Sequence, residues 1–495
     1  MTSQRLGEAR RYEEASEKRI PDEERPAFHL SPRVGWMNDP NGFSWFEGKY
    51  HLFYQYNPYE VQWGPMHWGH AVSEDLLHWE YLPAALAPDQ VWDRDGCFSG
   101  SAVTLADGRQ LLMYTGVVRE RQADGSWADV QAQCVAAGDG VDYEKYEKNP
   151  VLDEKDIPEG GSRNDFRDPK MWQEEDGTYR CVIGNRSADG SGQILLFSSP
   201  DGFAWHYEKV LAASRNRFGR MWECPDFFPL DGKWILIVSP QEMLPSGLEY
   251  HNGNGTLCLI GDYDKKTAEY EEIANQSVDY GIDFYAPQTV LAPDGRRIMI
   301  GWLQNWDTCS HRGQRDEGWF GQMSIPRELS VRNGRLCQKP IRELERMRQN
   351  KVEYENVALS GAVRLEGVRG RRIDMELEIR QEEGCGLYRK FTVCFAQNDS
   401  YYTSVSFRPD ESVLKVDRKF SGSRKAVIHQ RRSKVRHEGG RLKLRVILDR
   451  FSAEIFVNDG EQVLSLVLYT VQEAEDISFI AEGTVKLDVV KYDLV

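Results

Sequence analysis

The 495-residue chain is poor in the features that would tie it to a metal, a membrane or a nucleic acid. Its nine cysteines (Cys97, Cys134, Cys181, Cys224, Cys258, Cys309, Cys337, Cys385 and Cys394) stand singly. With no C-x-x-C pair and an odd total, neither a zinc site nor a disulfide framework is indicated. His67 and His70 have H-x-x-H spacing, but in a strand-rich segment they share no helical face and have no third ligand. No apolar run approaches membrane-spanning length. Residues 1–25 are highly charged and lack the apolar stretch of an export signal. Positive charge is also outnumbered: 62 Lys and Arg against 78 Asp and Glu give a net charge of −16, which argues against a nucleic-acid partner, since binding its backbone needs a basic face. These absences predict a cytoplasmic protein with no nucleic-acid partner, no membrane partner, no metal and no cofactor. Self-association is left open.

What is present is a repeat. Five times an acidic residue and a glycine form a tight turn just before a strand-like run: Glu47-Gly48, Asp107-Gly108, Asp176-Gly177, Asp231-Gly232 and Asp294-Gly295. Such a pair beside β-branched and aromatic runs is the strongest local signal for a hairpin. The glycines fall 60, 69, 55 and 63 residues apart. Nine residues before each glycine stand Asp39, Ser99, Asp168, Glu223 and Ala286. If the repeats are blades around one axis, three carboxylates converge on one pocket.

The pattern along the chain predicts an all-β fold, a five-bladed β-propeller followed by a C-terminal antiparallel β-sandwich. Residues 1–28 read as a charged, partly helical lead-in, and 29–340 as short strands between Gly, Pro, Asn and Asp turns. A second echo, S-x-D-x-x-x-W at Ser73–Trp79 and Ser199–Trp205, supports the repetition. Residues 341–354 read as a linker helix after Pro340. Over 355–495 the pattern changes to strict alternation, as at Ile373, Met375, Leu377 and Ile379, which argues for a half-buried sandwich.

The surroundings of the three acids suggest a division of labour. Asp39, in Trp36-Met37-Asn38-Asp39-Pro40-Asn41-Gly42, is a short carboxylate on a rigid turn, suited to be an ionised nucleophile. Glu223 lies between Trp222 and Cys224, apolar neighbours that favour the protonated form a general acid needs. Asp168 follows Arg167, whose charge is expected to hold it ionised, so that it binds sugar hydroxyls and stabilises positive charge on the ring. A carboxylate nucleophile and a carboxylic acid about 5–5.5 Å apart are what a retaining glycosidase requires.

Three segments, residues 36–42, Phe166-Arg167-Asp168-Pro169 and Glu223-Cys224-Pro225, are similar to the signature motifs of glycoside hydrolase family 32, the β-fructofuranosidases. Tyr54 to Pro58, Trp63-Gly64, His67 to His70, Phe98 to Ser101 and Asp283 to Pro287 also resemble family segments, as does Glu454 to Gly460 in the C-terminal part. The resemblance implies cleavage of terminal β-fructofuranosyl units of sucrose, sucrose 6-phosphate or short fructo-oligosaccharides. It implies Asp39 as nucleophile, Glu223 as acid/base and Asp168 as transition-state stabiliser, with Asn38, Gln55, Trp63, Phe98, Ser99, Arg167 and Trp302 shaping the fructose pocket. Fructosyl transfer on the same scaffold, an arabinan- or xylan-active enzyme, and a non-catalytic fructoside-binding propeller are the competing readings.

Overall fold

The acidic-Gly pairs close hairpins because their glycines take a left-handed φ, +83° at Gly48 and +78° at Gly232, that other residues enter only under strain. The computed structural model describes residues 3–122, 124–309, 318–422 and 428–495. Each hairpin opens a four-stranded antiparallel blade, and the blades are numbered I to V in chain order. Their innermost strands are Gly35–Phe46, Gly96–Thr104, Phe166–Gln173, Met221–Leu230 and Tyr285–Leu291. The middle strands are almost wholly buried, as in Lys233–Gln241 with Ile235, Leu236, Ile237 and Val238. Both faces of a blade pack against neighbouring blades, so these strands read as continuous apolar runs. The ring closes where Trp319–Phe320 pairs in parallel with Gly35 and Trp36 of blade I.

The second echo is a turn of defined chemistry joining the third and outer strands of blades I and III. Ser73 Oγ accepts the backbone N–H of Leu76 at 2.8 Å, Asp75 Oδ1 accepts that of His78 at 2.8 Å, and Trp79 Nε1 donates to the Leu76 carbonyl at 3.1 Å. Ser199, Asp201 and Trp205 repeat the same bonds at 2.9, 2.8 and 2.9 Å. The side chains replace backbone partners that a turn leaves unmet.

Before the ring, Gln4–Glu17 is a 14-residue helix, capped by Ser3 Oγ and lying against blade I. After it, a 3-10 turn, Arg342–Met347, is followed at once by a 16-residue strand, Arg348–Val363. The helix expected through 354 is therefore only one short turn. Val352 and Tyr354 alternate with polar residues and pack on the sandwich core, and this β-type pattern overrides the local run of helix formers.

The C-terminal domain is stitched by its last strand, Asp476–Leu494. Residues before Gly483 pair with Lys390–Gln397, residues after it pair with Ile373–Gln381, and Arg348–Val363 lines both parts. The strand changes layer at Gly483, where φ is +101° and a Cβ would come within 3.0 Å of the Tyr388 backbone.

Charges buried between the two domains fix how they meet. Arg327, fully buried in blade V, is paired with Glu454 of the sandwich and with Asp279 at 3.0 Å. His29 lies between Asp449 at 2.8 Å and Glu454 at 3.0 Å. Burial alone pulls the imidazole down, but the two carboxylates outweigh it and push it up to about 9, so it is charged at neutral pH. Such charges stabilise only as a complete set, because removing one strands the others in a dry interior.

Candidate active site

The innermost strand of each blade is at, or next to, the edge of its sheet, which is where proline and bulges are tolerated. Every one of the five carries a bulge near its start: between Met37 and Pro40, Phe98 and Gly100, Arg167 and Lys170, Glu223 and Asp226, and Tyr285 and Gln288. In blades III, IV and V the bulged residue has a left-handed φ, +65° at Asp168, +48° at Cys224 and +52° at Ala286, and each precedes a proline. Such strain costs on the order of 1–3 kcal/mol per residue and turns side chains toward the axis.

The ladders correct one equivalence drawn from the sequence. Arg167, Glu223 and Tyr285 are each the last paired residue before the bulge, opposite Gly184, Ser239 and Trp302. Glu223 therefore corresponds to Arg167, and Cys224 corresponds to Asp168. Counting back from the turn glycine fails here because blade IV closes with the two-residue turn Asp231-Gly232, whereas blades III and V use five-residue turns. The acids converge nonetheless.

Cys224 marks the convergence. Its Sγ lies 3.5 Å from Oδ2 of Asp39 and 3.6 Å from Oδ2 of Asp168, and its backbone N–H donates to that Asp168 oxygen at 2.9 Å. Asp39 also accepts from Asn38 Nδ2 at 3.0 Å and from Ser99 Oγ at 2.9 Å, so both carboxylate oxygens are held. Asn38 is itself aligned by Trp36 Nε1 at 2.7 Å. Glu223 is gripped from two blades: Arg167 Nε donates to Oε1 at 3.0 Å, and the Tyr285 hydroxyl donates to Oε2 at 2.6 Å.

Burial and mutual repulsion set the charges. Asp39 is pushed up to about 6, first by desolvation and then by Glu223, against the hydrogen bonds from Asn38, Ser99 and Cys224. Asp168 is raised too, by burial and by Glu223, and Arg167 only moderates the shift. The expectation that Arg167 keeps Asp168 at the low end of the carboxylate range is overturned, because the Arg167 fork is turned to Glu223 and Asp165. Nor do the sequence neighbours of Glu223 surround its carboxyl with apolar groups: Trp222 points into the blade IV core and donates to the Phe218 carbonyl at 2.7 Å.

The remaining pocket residues fall into three positions. Asn38, Ser99 and Arg167 touch the acids directly. Gln55 stands behind them, donating to the Cys97 carbonyl at 3.0 Å. Trp63 is 44 % exposed at the rim and meets Phe98 edge-on at 5.9 Å. Trp302, expected in the pocket, has no exposed surface. It packs among Trp36, Cys224 and Tyr285 and supports the wall from behind. The stacked pair Trp36 and Phe320, 4.8 Å apart, was not singled out as a unit in the sequence, and neither was Tyr285. Tyr285 stands one place before Ala286-Pro287, the same place that Arg167 and Glu223 hold, so aligning the X-Pro steps would have found it.

Comparison with known proteins agrees with this geometry. The model of the glycosyl hydrolases family 32 N-terminal domain matches residues 29–340, and that of the family 32 C-terminal domain matches 343–494. A raffinose invertase of Escherichia coli is 40% identical over 468 residues, covering 92% of each chain. A sucrose-6-phosphate hydrolase of Escherichia coli is 37% identical, covering 92% of this chain and 91% of the relative. Among solved structures, a mutant GH32 beta-fructofuranosidase of Bombyx mori in complex with sucrose superposes with a TM-score of 0.85 at 34% identity, over 100% of this chain and 99% of that one. The chain belongs to glycosyl hydrolase family 32 and is a glycoside hydrolase built as a five-bladed β-propeller with a C-terminal β-sandwich.

Proposed function

We propose that the protein is a retaining β-fructofuranosidase that hydrolyses terminal non-reducing β-D-fructofuranosyl residues of sucrose, sucrose 6-phosphate or short fructo-oligosaccharides. The observation that carries this reading is the meeting of Asp39, Asp168 and the Glu223 segment of the chain around Cys224, in a chain with invertase and sucrose-6-phosphate hydrolase relatives. Asp39, ionised above about pH 6, attacks the anomeric carbon of the fructosyl unit while Glu223 gives its proton to the departing glycosidic oxygen. The glycosidic bond breaks as the ester to Asp39 forms. Glu223, now a carboxylate, takes a proton from water, whose oxygen displaces Asp39 and releases fructose with its configuration retained. Asp168 accepts hydrogen bonds from ring hydroxyls, and Arg167 and Tyr285 hold Glu223 in line. The nine free cysteines and the bacterial sucrose-6-phosphate hydrolase relatives support a cytoplasmic site of action on small imported fructosides.

Sucrose hydrolysis by the wild type, Asp39→Asn and Glu223→Gln tests the roles. Each variant is expected to lose several orders of magnitude in kcat. Either variant keeping more than a tenth of the activity overturns the assignment. The first-formed fructose anomer, followed by NMR, must be β; an α product would replace double displacement by inversion.

A further inference from the structure

Where the lead-in passes between blade I and the sandwich there is a recess of about 410 Å³ whose lining includes none of Asp39, Asp168 and Glu223. Three arginines line it: Arg25 from the lead-in, and Arg372 and Arg450 from the sandwich. Elsewhere at this junction arginines are matched, Arg327 by Glu454 and Asp279, and Arg418 by Asp283. Among the described residues, no carboxylate comes within ion-pair distance of Arg25, Arg372 or Arg450.

Each arginine stands differently. Arg25 is only 9 % exposed and is held by neutral acceptors, the carbonyls of Pro32 at 2.8 Å and Arg33 at 2.6 Å, with Ser31 Oγ at 3.2 Å. It contributes a fixed, nearly buried charge. Arg450 spends Nη1 on the carbonyls of Asp22 and Arg25, at 2.7 Å each, which leaves the rest of its fork free among the described residues. Arg372 is exposed and makes no side-chain hydrogen bond among them. Asp22 is the one carboxylate in the lining, and Asp449, next to Arg450 in the chain, is engaged by His29 and by the backbone N–H groups of Ala27 and Phe28. His29, also in the lining, has its charge met by Asp449 and Glu454, which leaves three arginines facing the one carboxylate of Asp22. The free fork of Arg372 and the unspent part of that of Arg450 favour an oxyanion with several acceptors.

We propose that this recess binds a small phosphate-bearing anion, bridging Arg372 and Arg450 over the buried charge of Arg25. The shared ligand chemistry is a tetrahedral oxyanion, free or as a sugar phosphate. Since the bound anion would tie residues 22–31 to the sandwich, occupancy stabilises the domain junction rather than changing the chemistry at Asp39.

The test is titration of the full-length protein with inorganic phosphate and, separately, glucose 6-phosphate, at constant ionic strength with chloride as control, followed by calorimetry and thermal unfolding. Arg372→Glu, an exposed position, is the clean variant, and Arg450→Gln is the second. The wild type is expected to give saturable heat and a rise of several degrees in Tm. Arg372→Glu should weaken affinity at least tenfold and leave sucrose hydrolysis unchanged. Binding of only one of the two ligands identifies the source. Saturable binding that Arg372→Glu leaves intact places the anion elsewhere and overturns the proposal, as does a rise in Tm without saturation that is equal in wild type and variants.

Discussion

Arg167 and Glu223 occupy the same station on neighbouring blades, and their side chains meet across the gap at 3.0 Å. A propeller repeats its backbone, so equivalent positions circle the axis and face one another. Chemistry enters when those positions are filled by groups of opposite character, here a guanidinium, a carboxylate and, from Tyr285, a phenol.

This clasp can be broken with little change in volume. Arg167→Met is expected to lower kcat/KM about 100- to 1,000-fold, since Glu223, the proposed acid, is then no longer held in line. Steady-state kinetics with sucrose check this, with circular dichroism to confirm folding. Activity within fivefold of wild type would show that Glu223 is positioned without Arg167.

On the roles proposed above, the acid limb of the pH profile belongs to Asp39 and the carboxylates around it. The proposed nucleophile, raised to about 6, is lost by protonation below that pH, so kcat/KM should fall tenfold per pH unit on the acid side. Ser99 donates to the charged form and lowers this value. Ser99→Ala should therefore move the acid limb to higher pH. A limb that stays in place or moves down would mean that it reports another group.

The junction between domains carries its own pH dependence. His29 titrates near 9 in the folded protein and near 6.5 when unfolded, so its stabilisation is complete below about 6.5 and is lost as the pH rises through 9. The difference is worth about 3 kcal/mol. Thermal unfolding at pH 6.5 and 9.5 should show a larger fall in Tm for the wild type than for His29→Gln. Parallel falls would remove His29 as the cause.

Gly281 sits against the sandwich backbone: a Cβ there would lie 2.1 Å from the Ser465 nitrogen and 2.2 Å from its carbonyl oxygen. Gly281→Ala must push the two domains apart, and it is expected to cost about 3 kcal/mol. Chemical denaturation measures this, and an unchanged midpoint would mean that the junction yields freely.

Much of this architecture is readable in the sequence because it depends on local chemistry. The acidic-Gly turns, the Ser–Asp–Trp turns and the alternation from Ile373 onward each name their own conformation. Asp39 and Asp168 are found for the same reason, each in a constrained step before proline. What is hidden depends on alignment between blades. A two-residue turn in blade IV, where blade III has five residues, shifts the count by one and makes Glu223 look equivalent to Asp168, while the counterpart of Asp168 is Cys224. Charge states are hidden too: Arg167 adjoins Asp168 in sequence but turns to Glu223, because neighbours along a strand point to opposite faces. Trp302 has the composition of a sugar platform, and only its burial shows otherwise.

The short parallel pairing of Trp319–Phe320 with Gly35 and Trp36 is at once the clasp of the ring and, through the stacked Trp36 and Phe320 rings, part of the wall beside Asn38 and Asp39. A molecule whose clasp slips would lose turnover while its four other blades and its sandwich stayed intact. Inactivation on mild heating should thus run ahead of melting, and the seam is the place to reinforce if the enzyme is to be kept working when warm.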